Sequence, residues 1–196
     1  MKEKFNKRIY NPTSFRKDIA ETIEHMDDLR EASRGERVSK AFSERIMLAV
    51  TNVNKCRYCY YGHSRAALAA GVTPEDIERL AAGEFEQLPQ EEIVALYFAQ
   101  HFAETGGNPD GDSWQKLVDT YGEDMARDIM AYIRMITIGN LAGNTFDAFL
   151  SRLKFNPAPD SSLGQELGVL LGAFVIIPYE FLRRVILKNK HGAAYV

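Results

Sequence analysis

The sequence has little cysteine, with only two residues of that type. It also lacks an excess of positive charge, a long apolar run near its beginning and the alternating Val, Ile and Thr segments typical of β-strands. Its 24 Lys and Arg against 27 Asp and Glu give a net charge of -3, which argues against a basic surface for nucleic acid. Residues 1–26 carry charges throughout and lack the apolar core of a secretory signal. We therefore expect a cytoplasmic protein that binds no nucleic acid.

Helical periodicity runs through most of the chain, because apolar residues recur at three- and four-residue spacings, and this predicts an all-α fold. A length of 196 residues suits one domain, taken as 1–196 with its core motif region at 38–155. A short helix is predicted after Thr73 as N-cap and Pro74 at N1, and Gly71 suits the left-handed end of the helix before it. The longer helices are predicted over residues 14–32, 38–53, 56–70, 90–104, 113–121 and 123–153, the last with a break near Gly139 or Gly143.

The segment 161–190 forms a last helix with an apolar stretch at 167–179. This stretch is too short to span a bilayer, and it contains Pro178. A helix that is apolar on nearly all sides must be covered by its own core or by another subunit, and we favour a subunit contact. Two alternatives stay open, an ordinary core helix and a membrane-surface helix. The basic end of the latter would consist of Arg183, Arg184, Lys188 and Lys190.

The two cysteines lie three residues apart in the stretch CRYCYYGH, residues 56–63. On an α-helix the positions of Cys56, Cys59 and His63 fall within about 60° of one another, so both sulfurs and the imidazole share one face. Three interpretations compete: inert core thiols, metal ligands or a redox couple. Close cysteine pairs in the cytoplasm are more often metal-binding or catalytic than structural.

A redox pair suits the first turn of a helix, where unpaired N–H groups and the helix dipole favour a thiolate. His63 follows Cys59 by one turn and can accept its proton, so we predict Cys59 as the nucleophile and Cys56 as the resolving cysteine. Glu44 on the preceding helix is a candidate to orient His63. Spacing alone favours the other interpretation of Glu44, a solvated helix residue.

The pattern Glu44-x11-Cys56-x2-Cys59-x3-His63 resembles the signature of the AhpD-like alkyl hydroperoxidases of the carboxymuconolactone decarboxylase superfamily. The similarity covers about residues 44–88 and extends more weakly to MITIGNLAGNTFDAF, residues 135–149. The resemblance implies an oligomeric AhpD-like multi-helix bundle that forms trimers or multiples of dimers or trimers. It also implies that Glu44, through water, and His63 relay a proton from Cys59.

The activity that the resemblance implies is antioxidant. The dithiol would reduce hydroperoxides or pass electrons to a peroxiredoxin. One position departs from the family pattern, because Tyr58 stands where the best-characterised branch has a second histidine. A tyrosine hydroxyl can donate a hydrogen bond to a thiolate or a bound peroxide, which makes Tyr58 a candidate substrate-binding residue.

Cofactor-binding sequences are absent: the chain has neither Gly-x-Gly-x-x-Gly nor a Walker-type loop, so we expect no bound cofactor. The electrons should come from a thiol reductant or from a lipoyl-bearing or thioredoxin-like protein. Three alternatives to a peroxidase remain. They are a cofactor-free decarboxylase or lactone-processing enzyme, a zinc-binding protein that uses both thiolates and the imidazole, and a non-catalytic redox sensor.

Overall fold

The computed structural model describes residues 5–159 and 161–193, with side chains described through residue 187. This part of the chain is helical and contains no strand, which confirms the predicted all-α class. Two short 3-10 turns, Phe85–Gln87 and Gln90–Glu92, precede the sixth helix. The α-helices are α1 (Pro12–Glu24), α2 (Met26–Arg34), α3 (Lys40–Asn54), α4 (Arg57–Ala69), α5 (Pro74–Ala82), α6 (Ile93–Glu104), α7 (Gly111–Leu153) and α8 (Leu163–Ala193).

Helix α3 lies at the centre of the fold, where α4, α5, α6 and α7 pack around it. It starts at Ser39, whose side chain accepts the Phe42 N–H at 3.1 Å. Burial of large residues such as Ile46 and Leu48 contributes about 1.5–3 kcal/mol each. Because the neighbouring helices cover α3 on most sides, its polar residues are enclosed together with its apolar ones.

The turn between α3 and α4 is very short. Lys55 adopts the left-handed conformation, with φ 58° and ψ 35°, and its N–H donates to the Thr51 carbonyl at 2.8 Å. Cys56 follows directly as the N-cap of α4. The two helices therefore form a tight αα-hairpin that folds α4 back along α3.

Several helix boundaries differ from the prediction. The single helix expected over 14–32 was wrong, because His25 interrupts it with φ -93° and ψ 20° between α1 and α2. The separation near residue 122 was right, since Gly122 has φ 76° and ψ 162° and kinks α7. The expected break near Gly139 or Gly143 was wrong, because Gly122 is the position within α7 whose backbone is non-helical.

The end of α4 and the start of α5 agree with the sequence. Gly71 has φ 90°, and the Thr73 side chain accepts the Asp76 N–H at 3.1 Å with Pro74 at N1. Such turns provide hydrogen-bond partners for the terminal N–H and C=O groups that have no partner within a helix. The helix that carries the cysteines and the helix after it are thus specified by local turn chemistry.

Helix α8 packs one side against α1 and α7 and continues through Pro178. Its buried side includes Glu166, 0% exposed, which accepts hydrogen bonds from Arg152 at 2.8 Å and 3.0 Å. Among the described residues no helix is long and apolar enough to cross a membrane. The opposite side of α8 exposes a series of large apolar side chains: Leu171, Phe174, Val175, Phe181, Leu182 and Val185.

The basic end proposed for α8 consists in part of paired residues. Arg183 bonds Glu180 at 3.1 Å, and Arg184 bonds Asp27 at 2.7 Å. Lys188 and Lys190 lie outside the residues whose side chains are described. The two described arginines therefore interact with neighbouring carboxylates of the same chain.

Candidate redox site

Cys56 and Cys59 form a disulfide at the start of α4, with their Cα atoms 5.3 Å apart. This separation lies within the ordinary range for disulfides. Cys56 is the N-cap, and its Sγ accepts the backbone N–H of Cys59 at 3.3 Å. Upon reduction, the same N–H group and the helix dipole would favour a thiolate at Cys56.

The two sulfurs differ in their exposure. Cys56 is fully buried, whereas Cys59 is half-buried. A methyl group placed on Gly143 of α7 would lie 2.9 Å from Cys56 Sγ and 3.8 Å from Cys59 Sγ. Helix α7 therefore packs directly on Cys56, and Cys59 is the sulfur that solvent can reach.

His63 lies one turn after Cys59 and contacts α3. Its Nδ1 is 2.7 Å from Oε2 of Glu44, a side chain that is only 1% exposed. The other carboxylate oxygen, Oε1, is 2.5 Å from Nζ of Lys40, one turn earlier on α3. The buried carboxylate thus has one cationic and one imidazole partner.

The charge state of Glu44 follows from these contacts. Burial raises its pKa, but the hydrogen bonds and charges of His63 and Lys40 outweigh burial and hold the pKa below its usual value. A carboxylate accepts, so Nδ1 of His63 is the donor, and the neutral ring keeps its lone pair on Nε2. Nε2 forms no hydrogen bond with any residue that the structure describes, which leaves it available to accept a proton.

Tyr58 borders the disulfide, but its hydroxyl is directed at other groups. The hydroxyl accepts a hydrogen bond from Arg57 Nη2 at 2.8 Å and donates to Asp147 at 3.4 Å. The ring is 41% exposed and lies 6.2 Å from that of Phe146, centroid to centroid. In the disulfide form the hydroxyl therefore interacts with an ion pair, and its expected role toward substrate stays a prediction.

Three contributors to the site were not found from the sequence. Gly143 gives Cys56 room, and the neighbouring Asn144 donates from Nδ2 to the carbonyl of Asn54 at 2.6 Å and to that of Arg8 at 2.9 Å. Lys40 was overlooked although its spacing of four residues from Glu44 is a signal for an ion pair on one helix face. The Gly-Asn pair within residues 135–149 gave no comparable indication, because its partners lie far away in the sequence.

A metal centre has no further support from the geometry. Among the described residues, no group of three or more His, Cys, Asp and Glu is arranged to hold a metal ion. In the disulfide, moreover, neither sulfur is a thiolate, which is the form that binds zinc. The arrangement of two cysteines, an imidazole and a buried carboxylate is suited to thiol–disulfide exchange with proton transfer.

Comparison with known proteins gives one match. Residues 20–96 match the sequence pattern of the carboxymuconolactone decarboxylase family. No curated protein and no solved structure was found to match the chain significantly. The matched region runs from α1 to α6 and includes the disulfide, His63 and Glu44. The family resemblance inferred from the motif is therefore confirmed over residues 20–96, and this family includes the AhpD-like proteins.

Proposed function

We propose that the protein is a thiol-dependent peroxidase or disulfide reductase. The observation that carries this proposal is the disulfide at the start of α4 together with His63, one turn later, whose Nδ1 is 2.7 Å from the buried Glu44. A decarboxylase or a scaffold has no need for two cysteines that can close a reversible bond beside an oriented base. We further propose that the protein acts in the cytoplasm, where reduced thiols are available for its cycle.

The oxidative half of the proposed cycle starts from the dithiol. His63 takes the proton of the Cys59 thiol, and the thiolate attacks the terminal oxygen of a hydroperoxide. The O–O bond breaks, the alcohol leaves with a proton returned from His63, and Cys59 becomes a sulfenic acid. The Cys56 thiol then attacks this sulfur, which forms the disulfide and releases water.

The reductive half consumes two electrons from an external dithiol. A reductant thiolate attacks Cys59, the half-buried sulfur, and Cys56 leaves as a thiolate beside the Cys59 N–H. The second reductant thiol resolves the mixed disulfide and frees Cys59. In the reductase form of the proposal, the protein passes these electrons to a peroxiredoxin instead of reducing the hydroperoxide itself.

The proposal is tested by measuring peroxide consumption with several dithiol donors. The proteins compared are wild type, Cys59→Ser and Cys56→Ser. We expect turnover to vanish in Cys59→Ser. Cys56→Ser should perform one oxidation per chain and then stop, because its sulfenic acid has no resolving partner. Unchanged turnover in Cys59→Ser would refute the assignment. If wild type consumes no peroxide directly but reduces the disulfide of a peroxiredoxin, the reductase form of the proposal is identified.

The family match supports a second candidate, a cofactor-free decarboxylase or lactone-processing enzyme. His63 and Glu44 could supply acid–base catalysis for such a reaction without the cysteines. The double variant Cys56→Ser/Cys59→Ser distinguishes the two candidates. A decarboxylase would keep its activity on a carboxymuconolactone substrate in this variant, whereas a thiol peroxidase would lose peroxide turnover.

We also propose that the exposed side of α8 contacts a second copy of the chain. Leu171, Phe174, Pro178, Phe181 and Val185 recur at spacings of three and four residues, which is the heptad pattern of a helix–helix seam. Phe174 is 80% exposed and Leu171 is 62% exposed, so the described part of the chain leaves this seam uncovered. An identical seam on a second copy would cover it by a self-complementary contact.

A further inference from the structure

The surroundings of the disulfide are positively charged, although the chain as a whole is negative. No Asp or Glu occurs between Glu44 and Glu75, while Lys55 and Arg57 flank Cys56 directly. Glu44 itself is buried and already paired with Lys40 and His63. A molecule that approaches the first turn of α4 therefore meets cationic side chains in a protein whose net charge is -3.

Arg57 is the best-placed of these cations. Its Nη2 donates to Asp147 and to the Tyr58 hydroxyl, and the guanidinium lies 4.8 Å from the centroid of the Tyr58 ring. Asp147 is also bonded by Lys7 at 2.7 Å, so this single carboxylate is shared between two cations. One nitrogen thus anchors Arg57, and the positive charge around Asp147 exceeds its negative charge.

The rest of the guanidinium faces outward. The Arg57 side chain is 59% exposed, and its Nε and Nη1 form no hydrogen bond with any residue described in the structure. An arginine held on an aromatic ring by one nitrogen loses little conformational freedom when its other nitrogens bind a carboxylate. This arrangement is suited to recognition of an anion.

The anchored arginine is also close to the reactive sulfurs. A methyl group placed on Gly143 would lie 3.8 Å from Cδ2 of Tyr58 and 3.8 Å from Cys59 Sγ, so the ring that carries Arg57 borders the disulfide. The guanidinium therefore lies against a ring that itself borders the disulfide, at the first turn of α4. A reductant that bound Arg57 would bring its thiol to Cys59.

We propose that Arg57 makes the disulfide selective for dithiol reductants that carry a carboxylate. This inference rests on the proposed function and specifies the class of its electron donor. The carboxylate binds Nη1 of Arg57 while one reductant thiolate attacks Cys59 and displaces Cys56. The second reductant thiol then closes the reductant's own disulfide, so two electrons and two protons pass to the cysteine pair.

The test compares two dithiols that differ in one charge, dihydrolipoate and its neutral amide, dihydrolipoamide. The rate of disulfide reduction is followed by thiol labelling in low salt. We expect the carboxylate to react about tenfold faster with wild type, because opposite charge accelerates encounter by at least this factor at a focused site. The ratio should approach one in Arg57→Gln and in 0.5 M salt, and Arg57→Lys should keep part of it.

Arg65→Gln is the matched control. Arg65 lies on the same helix, bonds the Tyr61 hydroxyl at 2.8 Å and stacks on that ring at 5.6 Å, but it is two turns farther from the disulfide. This variant should keep the wild-type ratio. A ratio near one in wild type, or an unchanged ratio in Arg57→Gln, would overturn the inference.

The outcome separates this inference from the proposed function. If dithiothreitol reduces the disulfide and supports peroxide turnover while the two dithiols react equally, the selectivity is wrong and the peroxidase proposal stands. If the carboxylate is preferred through Arg57 but the reduced protein neither consumes hydroperoxide nor reduces a peroxiredoxin, the proposed function fails and the selectivity stands. Thermal unfolding of Arg57→Gln and Arg57→Lys confirms that both variants are folded in these measurements.

Discussion

The first turn of α4 and the exposed side of α8 depart from ordinary burial in opposite ways. Near α4, a carboxylate that is only 1% exposed sits in the core, with partners on both oxygens. On α8, Phe174 is 80% exposed, and none of the residues that the structure describes covers it. Replacing one member of a buried, hydrogen-bonded polar group lowers stability, because its partners are left without a hydrogen bond. Replacing an exposed apolar side chain changes the stability of the monomer very little. The first region is therefore specified by the chain itself, whereas the described residues leave the exposed side of α8 without cover.

The largest effect is expected at the buried carboxylate. Glu44→Gln keeps the size of the side chain but removes its charge, so His63 loses the carboxylate that accepts the hydrogen bond from its Nδ1. Peroxide turnover should fall about 100-fold or more, the scale of general acid–base catalysis. Steady-state assays measure this fall, and Glu78→Gln on the exposed surface of α5 should leave turnover unchanged. Equal turnover in both variants would mean that the buried carboxylate has no part in the reaction.

The Glu44→Gln variant also tests how the free energy of unfolding depends on pH. Because the pKa of Glu44 is lower in the folded protein than in the unfolded chain, its stabilisation is present above the unfolded value of about 4.3. This contribution is lost as the pH falls through the lower, folded pKa. The free energy of unfolding of wild type should therefore drop more steeply on acidification below about pH 4.3 than that of Glu44→Gln. Denaturant titrations across this range provide the measurement.

A smaller effect is expected where α7 meets the disulfide. Gly143→Ala would put a methyl group 2.9 Å from Cys56 Sγ, so the oxidised protein should lose about 1–3 kcal/mol of stability through overpacking. Thermal unfolding of the oxidised protein measures the loss. Gly139→Ala in the same helix is the control, because nothing lies within 4 Å of its added methyl group. That control should gain about 0.5–1 kcal/mol from the better helix propensity of alanine. Similar gains in both variants would contradict the close contact with Cys56.

The smallest effect on the chain itself is expected on α8. Phe174→Glu or Leu171→Glu should change monomer stability by no more than about 0.5 kcal/mol, because both side chains are exposed. The same changes should lower the molar mass in solution, measured by light scattering after size-exclusion chromatography. Leu68→Glu, an exposed apolar position on α4, should leave the mass of wild type unchanged. A monomeric wild type, or an oligomer that tolerates Phe174→Glu, would remove the proposed contact.

The sequence could predict what depends on local spacing. Helical periodicity identified α4, turn chemistry placed Thr73 and Pro74 at the start of α5, and the three-residue spacing of the cysteines suited the disulfide that the structure contains. The hydrogen bond between Glu44 and His63 also agrees with the family pattern. The break at His25 was missed because neither Gly nor Pro marks it.

Contacts between distant segments could not be predicted in this way. Gly143 follows Cys56 by 87 residues, and the sequence suggested only a helix break at this glycine, not its contact with the cysteine. The anchoring of Arg57 likewise depends on Asp147, which approaches only when α7 packs on α4. Local physical chemistry indicated the residues that we propose to carry the reaction, whereas their surroundings follow from the packing of helices that are far apart in the sequence.

The hairpin at Lys55 has an evolutionary and engineering consequence. The linker between α3 and α4 consists of one left-handed residue and one N-cap residue, so it cannot accommodate a change in its length. An insertion or deletion of one residue on either side would rotate the following positions by about 100° around the helix axis. His63 would then face away from Glu44, even though every residue type was retained. A transplanted motif should therefore contain residues 44–63 as one uninterrupted segment.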